Sequence, residues 1–176
     1  KEQMVNKGAL ILSGEDADII INNLWKDGEL NPSLIAKSCD YILEKCGLFD
    51  KVNQNHKIIV LEMPQFDELP RQMKEKLSIV ATLTRVNSIS DAINYTKRIY
   101  EMQGAGHSVG IHTQSDFNIR QCAQAIKTCR VIVNQAHGFA TGGAFNNGLP
   151  FSLSMGCGTW GKNSIDDNLN YTHFLQ

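Results

Sequence analysis

Apolar positions along the chain fall into short runs whose period alternates between that of a strand and that of a helix. Gly8–Ser13 (GALILS) is a brief apolar run ending in a Ser-Gly turn and predicts a strand. Asp16–Lys26 repeats Ile19, Ile20 and Leu24 at helical spacing and stops at Gly28, a C-terminal signal. Pro32–Lys45 places Pro in a first helical turn, carries Leu34, Ile35, Tyr41 and Ile42, and is followed by Gly47. Lys57–Met63 (KIIVLEM), β-branched and bounded by Pro64, predicts the clearest strand. A polar stretch broken by Pro70 covers Gln65–Lys76, and Leu77–Val86 reads as a second long strand.

The pattern then becomes regular. Ser90 is placed to cap a helix running through Met102, followed by a strand at Val109–Thr113, a helix at Ser115–Thr128 and a strand at Arg130–Asn134. Strands alternating with helices predict an α/β fold with a largely parallel sheet. From Gly138 to Gly161 the chain turns dense in Gly, Asn, Ser and Thr with isolated aromatics. A stretch that long without regular elements points to a functional loop and tail after one α/β domain.

Composition narrows the classes. The 176 residues carry 17 Lys+Arg against 18 Asp+Glu, for a net charge of −1, and are 42% hydrophobic. That is enough apolar material to fold, in a length that suits one domain. Without a basic run, nucleic acid is not an expected partner. No apolar run approaches the ~20 residues that cross a bilayer, so a membrane is not expected either. The five cysteines, Cys39, Cys46, Cys122, Cys129 and Cys157, form no CxxC pair, so neither a disulfide framework nor a metal site is expected. The opening KEQMVNKGALIL does not read as a signal peptide, which makes a reducing cytoplasm the default compartment. On that reading the Asn-x-Thr triplets at Asn94 and Asn170 are chance matches, and a first residue of Lys suggests a fragment.

Four places can carry chemistry. Gly156-Cys157-Gly158-Thr159-Trp160-Gly161 matches GxGxxG, but KNSIDDNLNY after it is a poor helix to face a pyrophosphate. A tight glycine turn, with Cys157 a small buried residue within it, is the plainer reading. Gly104-Ala105-Gly106-His107 lies between a helix and a strand. The glycines suit a helix terminus, and the imidazole of His107 suits proton transfer near neutrality. His112, five positions on within a strand, would face the other way, which argues against a metal pair. Glu75, between Lys74 and Lys76, reads on its own as one solvated charge among others.

Together these segments resemble the aldehyde dehydrogenase superfamily, in its coenzyme A-acylating branch, over nearly the whole chain. Glu75-Lys76-Leu77-Ser78 looks like the Glu-Lys-Leu-Ser-Pro motif, with Ile79 in place of the proline. GAGHSVGIHT, from Gly104 to Thr113, looks like the Gly-x-Gly-His segment of acylating members. Asn147–Leu175 looks like their near-C-terminal signature. The resemblance implies a three-layer catalytic-domain fold over 1–176, with 138–161 as a Gly-rich active-site loop and tail. It also implies that the dinucleotide-binding domain and the nucleophilic cysteine lie outside this chain.

By the same resemblance, His107 is the catalytic histidine, and Glu75 binds the ribose beside the nicotinamide of NAD or NADP. The loop from His137 to Gly148 lines the aldehyde entrance, with His137, Thr141, Gly142, Gly143 and Asn146 as substrate-binding residues. The implied reaction oxidises a small aldehyde with NAD(P) and transfers the acyl group to coenzyme A through a cysteine thioester, without a metal. Within the branch the tail is most similar to enzymes of sulfoacetaldehyde, with those of succinate semialdehyde close behind. A loop rich in backbone N–H groups would suit the anion both aldehydes carry. The implied assembly is a homodimer or homotetramer, in the cytoplasm or a bacterial microcompartment. Two other readings compete: a non-catalytic α/β module that binds a nucleotide or anion, and a segment serving chiefly oligomerisation.

Overall fold

Ile58–Met63 forms the central strand of a three-stranded parallel sheet, and its β-branched run is buried almost throughout. The computed structural model describes residues 1–64 and 73–175. Most of the polar stretch 65–76, including its break at Pro70, lies outside the described residues. The chain divides into two compact units, 1–86 and 87–176, a boundary that neither length nor composition marks.

The first unit begins with α1 (Glu2–Val5), β1 (Ala9–Leu12) and α2 (Glu15–Leu24). After these come β2 (Trp25–Lys26), β3 (Glu29–Leu30), α3 (Cys39–Lys45), β4 (Ile58–Met63) and β5 (Val80–Thr84). The sheet order is β1-β4-β5, with Ala9 opposite Ile58 and Ile59 opposite Val80. Leu12, Ile20, Leu24, Ile42, Leu43, Ile59 and Leu61 fill one apolar core, to which α2 and α3 contribute their buried faces.

Two sequence readings change here. The helix expected to reach Lys26 ends at Leu24, because Trp25 and Lys26 pair with Leu30 and Glu29 in a small hairpin. Asp27 and Gly28 both have positive φ at its tip, so the Asp-Gly pair marks a hairpin turn where a helix stop was expected. The helix expected over Pro32–Lys45 is two pieces, a 3-10 turn at Pro32–Leu34 and α3, which Ser38 caps by accepting from the Tyr41 amide.

The second unit contains α4 (Ile89–Gln103), β6 (Val109–Ile111), α5 (Asp116–Ala125), β7 (Val131–Val133) and α6 (His137–Ala140). Ser88, not Ser90, caps α4 by accepting from the Asp91 amide at 3.1 Å. β6 and β7 are parallel, with α5 as the crossover between them. The expected α/β class, with parallel strands and flanking helices, is what both units display. Ile93, Cys122 and Ile126 make a much smaller core than that of the first unit.

Lys76 departs from the expectation of a solvated run. It is 8% exposed, donates to the Lys74 carbonyl at 2.9 Å and lies over the Trp25 ring. Burial lowers its pKa to about 8. Folding therefore disfavours the charged amine below about pH 8, and stability should rise as pH climbs from there toward 10.5, the ordinary lysine value. Lys76→Met should stabilise the chain at pH 7 by about 1–3 kcal/mol and flatten that pH dependence, as read by urea unfolding.

Candidate active site

The Gly104–His107 segment is shaped by what packs on each side of it. Gly104 closes α4 with φ +102, its amide donating to the Tyr100 carbonyl. Gly106 has φ +110, and a Cβ there would run into the Cys157 carbonyl, so the glycine lets the tail lie directly on this backbone. Gly106 also bridges Thr128, which extends the parallel ladder to the position just before His107. The carbonyls of the next two residues are tethered. The Tyr100 hydroxyl donates to Ser108 O at 2.7 Å, and Arg130 Nη1 donates to His107 O at 3.1 Å.

His107 is exposed, not sealed in apolar core. Its Nδ1 lies 2.6 Å from Ser108 Oγ, and that hydroxyl lies 2.9 Å from Nε2 of His137. The structure thus joins the candidate catalytic histidine to the first residue of α6, where the Gly-rich loop begins. His137 is half-buried, and burial lowers its pKa, with smaller contributions from His107 and His112. Its Nδ1 occupies the space a Cβ on Gly110 would take, 2.6 Å from that position. His112 lies just beyond β6 rather than within a strand, and its charge is felt at His137.

The rest of the loop is internally bonded. Thr141 is buried and donates to the His137 carbonyl at 3.1 Å. The Gly143 amide donates to the Ala140 carbonyl, and Gly142 O accepts from the Ser152 amide. Asn146 is exposed. Its neighbour Asn147, which the sequence did not single out, braces the loop by accepting from the amides of Ala144 and Leu149 and donating to Gln135 and Ala140. Phe145, fully exposed, meets Phe151 edge to face, with ring centroids 4.9 Å apart.

Glu75 belongs to the first unit, exposed on the approach to β5. Beside it Leu77 takes φ +44, and its carbonyl accepts from the Ala36 amide. The GxGxxG match does not open a helix. Thr159–Gly161 is a single 3-10 turn, and Gly156 and Gly158 donate to Asp167 and Ile165 across the tail. Cys157 is half-buried in that turn, less enclosed than expected. Burial raises the thiols of Cys39, Cys46, Cys122 and Cys129, that of Cys46 to about 11. Among the described residues no group of three or more His, Cys, Asp or Glu is arranged to hold a metal, and no helix is long and apolar enough to cross a membrane.

The residues sequence reasoning missed are Arg130 and Asn168, 2% and 0% exposed. Arg130 Nε donates to Asn168 Oδ1 at 2.6 Å, and Nη1 also reaches Gly156 O at 2.8 Å. Asn168 Nδ2 in turn donates to the carbonyls of Thr141 and Pro150. The signal available was a cation heading the apolar run RVIVN.

A parallel α/β unit that presents an exposed histidine, backed by a hydroxyl and a second histidine beside a braced glycine-rich loop, is equipped for proton transfer. No family model matches the chain. It is 41% identical over 170 residues to the sulfoacetaldehyde dehydrogenase (acylating) of Cupriavidus necator, covering 96% of this chain and 34% of that protein. It is 36% identical to the succinate-semialdehyde dehydrogenase (acetylating) of Clostridium kluyveri, over 97% of this chain and 37% of that one. In fold it matches an acetylating aldehyde dehydrogenase from Geobacillus thermoglucosidasius with a TM-score of 0.87 at 27% identity, covering 98% of this chain and 37% of the other. In sequence and fold alike the chain is related to the aldehyde dehydrogenase superfamily, in its acylating branch, as the motifs suggested. It spans about a third of the length of these relatives.

Arg130→Met should keep side-chain bulk while taking the donor from three acceptors, the buried Asn168 Oδ1 and the partly buried carbonyls of His107 and Gly156. The expected loss is about 3 kcal/mol or more, measured by urea unfolding. A loss under about 1 kcal/mol would remove the guanidinium from this role.

Proposed function

We propose that the chain is the C-terminal catalytic-domain portion of an NAD(P)-dependent, coenzyme A-acylating aldehyde dehydrogenase that acts on a small anionic aldehyde, with sulfoacetaldehyde favoured over succinate semialdehyde. The observation that carries this reading is the placement of His107, exposed and linked through Ser108 to the start of the Gly-rich loop. The greater identity to the Cupriavidus necator protein, 41% against 36%, favours the sulfonated substrate.

On this reading a nucleophilic cysteine and a dinucleotide-binding domain belong to the parent protein outside these residues, and the parent is a homodimer or homotetramer. The exposed carboxylate of Glu75 can accept from two ribose hydroxyls, which fits a nicotinamide nucleotide. When bound, NAD(P) supplies the hydride acceptor, and the coenzyme A thiol carries the acyl group away. His107 moves a proton at its exposed face, either from the attacking thiol or from the thiol of coenzyme A. The loop residues Thr141, Gly142, Gly143 and Asn146 line the approach of the aldehyde. The exposed carboxamide of Asn146 is suited to meet its anionic substituent.

In the full-length protein, His107→Asn should lower kcat by roughly 10²–10⁴-fold with sulfoacetaldehyde, NAD(P)⁺ and coenzyme A, while unfolding stability stays nearly unchanged. Turnover at the original rate would overturn the assignment. Glu75→Gln should reduce kcat more than it weakens cofactor binding, at a cost on the order of 1.5–3 kcal/mol. If kcat and the cofactor dissociation constant both hold steady, Glu75 does not meet the nucleotide.

A further inference from the structure

The hydroxyl of Ser108 lies between two imidazole nitrogens, Nδ1 of His107 at 2.6 Å and Nε2 of His137 at 2.9 Å. A hydroxyl has one proton, so it donates to one ring and accepts from the other. We propose that Ser108 and His137 are positioning residues for His107: Nδ1–H of His107 donates to Ser108, Ser108 donates to Nε2 of His137, and Nε2 of His107 is left bare to take a proton. This rests on reading His107 as the proton-transferring residue.

Three observations favour that polarity. His107 is the exposed ring and His137 the half-buried one, so an incoming proton is better solvated on His107. Burial, His107 and His112 all lower the pKa of His137, which keeps it a neutral acceptor. His137 is also fixed from a second side, since its Nδ1 fills the space that the missing Cβ of Gly110 leaves. When His107 gains its proton at Nε2, the Nδ1–H bond to Ser108 is already formed and nothing rotates. The reverse polarity would direct the Ser108 proton at His107 Nδ1 and leave the proton on the nitrogen needed as a base. Arg130 is bonded to the His107 carbonyl rather than to either ring.

The test is the ring-nitrogen NMR spectrum of the ¹⁵N-histidine-labelled chain at pH 8, where neutral rings dominate, with His107→Gln to assign the signals. His107 should be mainly the Nδ1–H tautomer. Ser108→Ala should return it to the Nε2–H form that an unconstrained histidine prefers, and Ser108→Thr should restore Nδ1–H. Gly110→Ala, whose added Cβ would displace the His137 ring without touching Ser108, should shift the tautomer in the same direction as Ser108→Ala. An Nε2–H His107 in the unaltered chain overturns the proposal, as does an Nδ1–H form that survives both Ser108→Ala and Gly110→Ala. The spectrum needs no substrate, so a failure of the acylating reading and a failure of this relay are separable.

Discussion

A single buried guanidinium organises the second unit. Arg130 heads β7, and its N–H groups reach the His107 backbone, the Gly156 carbonyl and the Asn168 side chain. Through Asn168 the same network extends to Thr141 and Pro150. The candidate catalytic segment, the glycine-rich loop and the tail turn therefore share one fixed point. The described contacts give Nε and Nη1 carbonyl and amide oxygens, while Nη2 is buried without a hydrogen-bond partner. A buried charge with incomplete partners costs several kcal/mol, which the bonds at Nε and Nη1 must offset.

The reliance on polar contacts follows from how little apolar material is available. In the first unit Leu12, Ile20, Leu24, Ile42, Leu43, Ile59 and Leu61 interlock behind a parallel sheet. In the second, the buried cluster is Ile93, Cys122 and Ile126, with Ile132 and Ala140 buried outside it. Non-directional burial holds the first unit, whereas directional bonds hold the second, and directional bonds are what fix a ring or a carbonyl in one place. A histidine proposed to transfer a proton needs that more than it needs a deep core. His107 is exposed at its ring yet pinned at its carbonyl, with the Ser108 carbonyl held by Tyr100.

The sequence conveyed the parts governed by local pattern. The buried run at Ile58–Met63, a helix beginning beside Ser115 and the alternation of strands with helices were legible because each depends on neighbouring residues. The hairpin at Asp27–Gly28 was misread because Gly28 satisfies a helix stop and a turn equally well, and only the pairing of Trp25 with Leu30 decides between them. Ser88 and Ser90 are both acceptable caps by type, and the backbone chose the first. Arg130 and Asn168 were not legible, since nothing local tells a buried cation from an exposed one. His137 and Asn146 were reached only through resemblance. The bracing of the loop by Asn147 rather than Asn146 depends on which side chain turns inward.

The sequence distance spanned by the Arg130 network has a consequence for how the chain is made. Asn168 stands 38 positions after Arg130 and Gly156 stands 26 after it. As the polypeptide leaves the ribosome, β1, β4, β5 and the core residues packed on them are synthesised before residue 87 appears. Arg130 then waits, solvated, for partners not yet synthesised. Contacts of such separation form late, because loop-closure entropy must be overcome before they contribute. The histidine site is thus complete only once Asn168 has emerged, and a nascent chain stopped short of Asn168 would hold the candidate histidine without the Arg130–Asn168 bond.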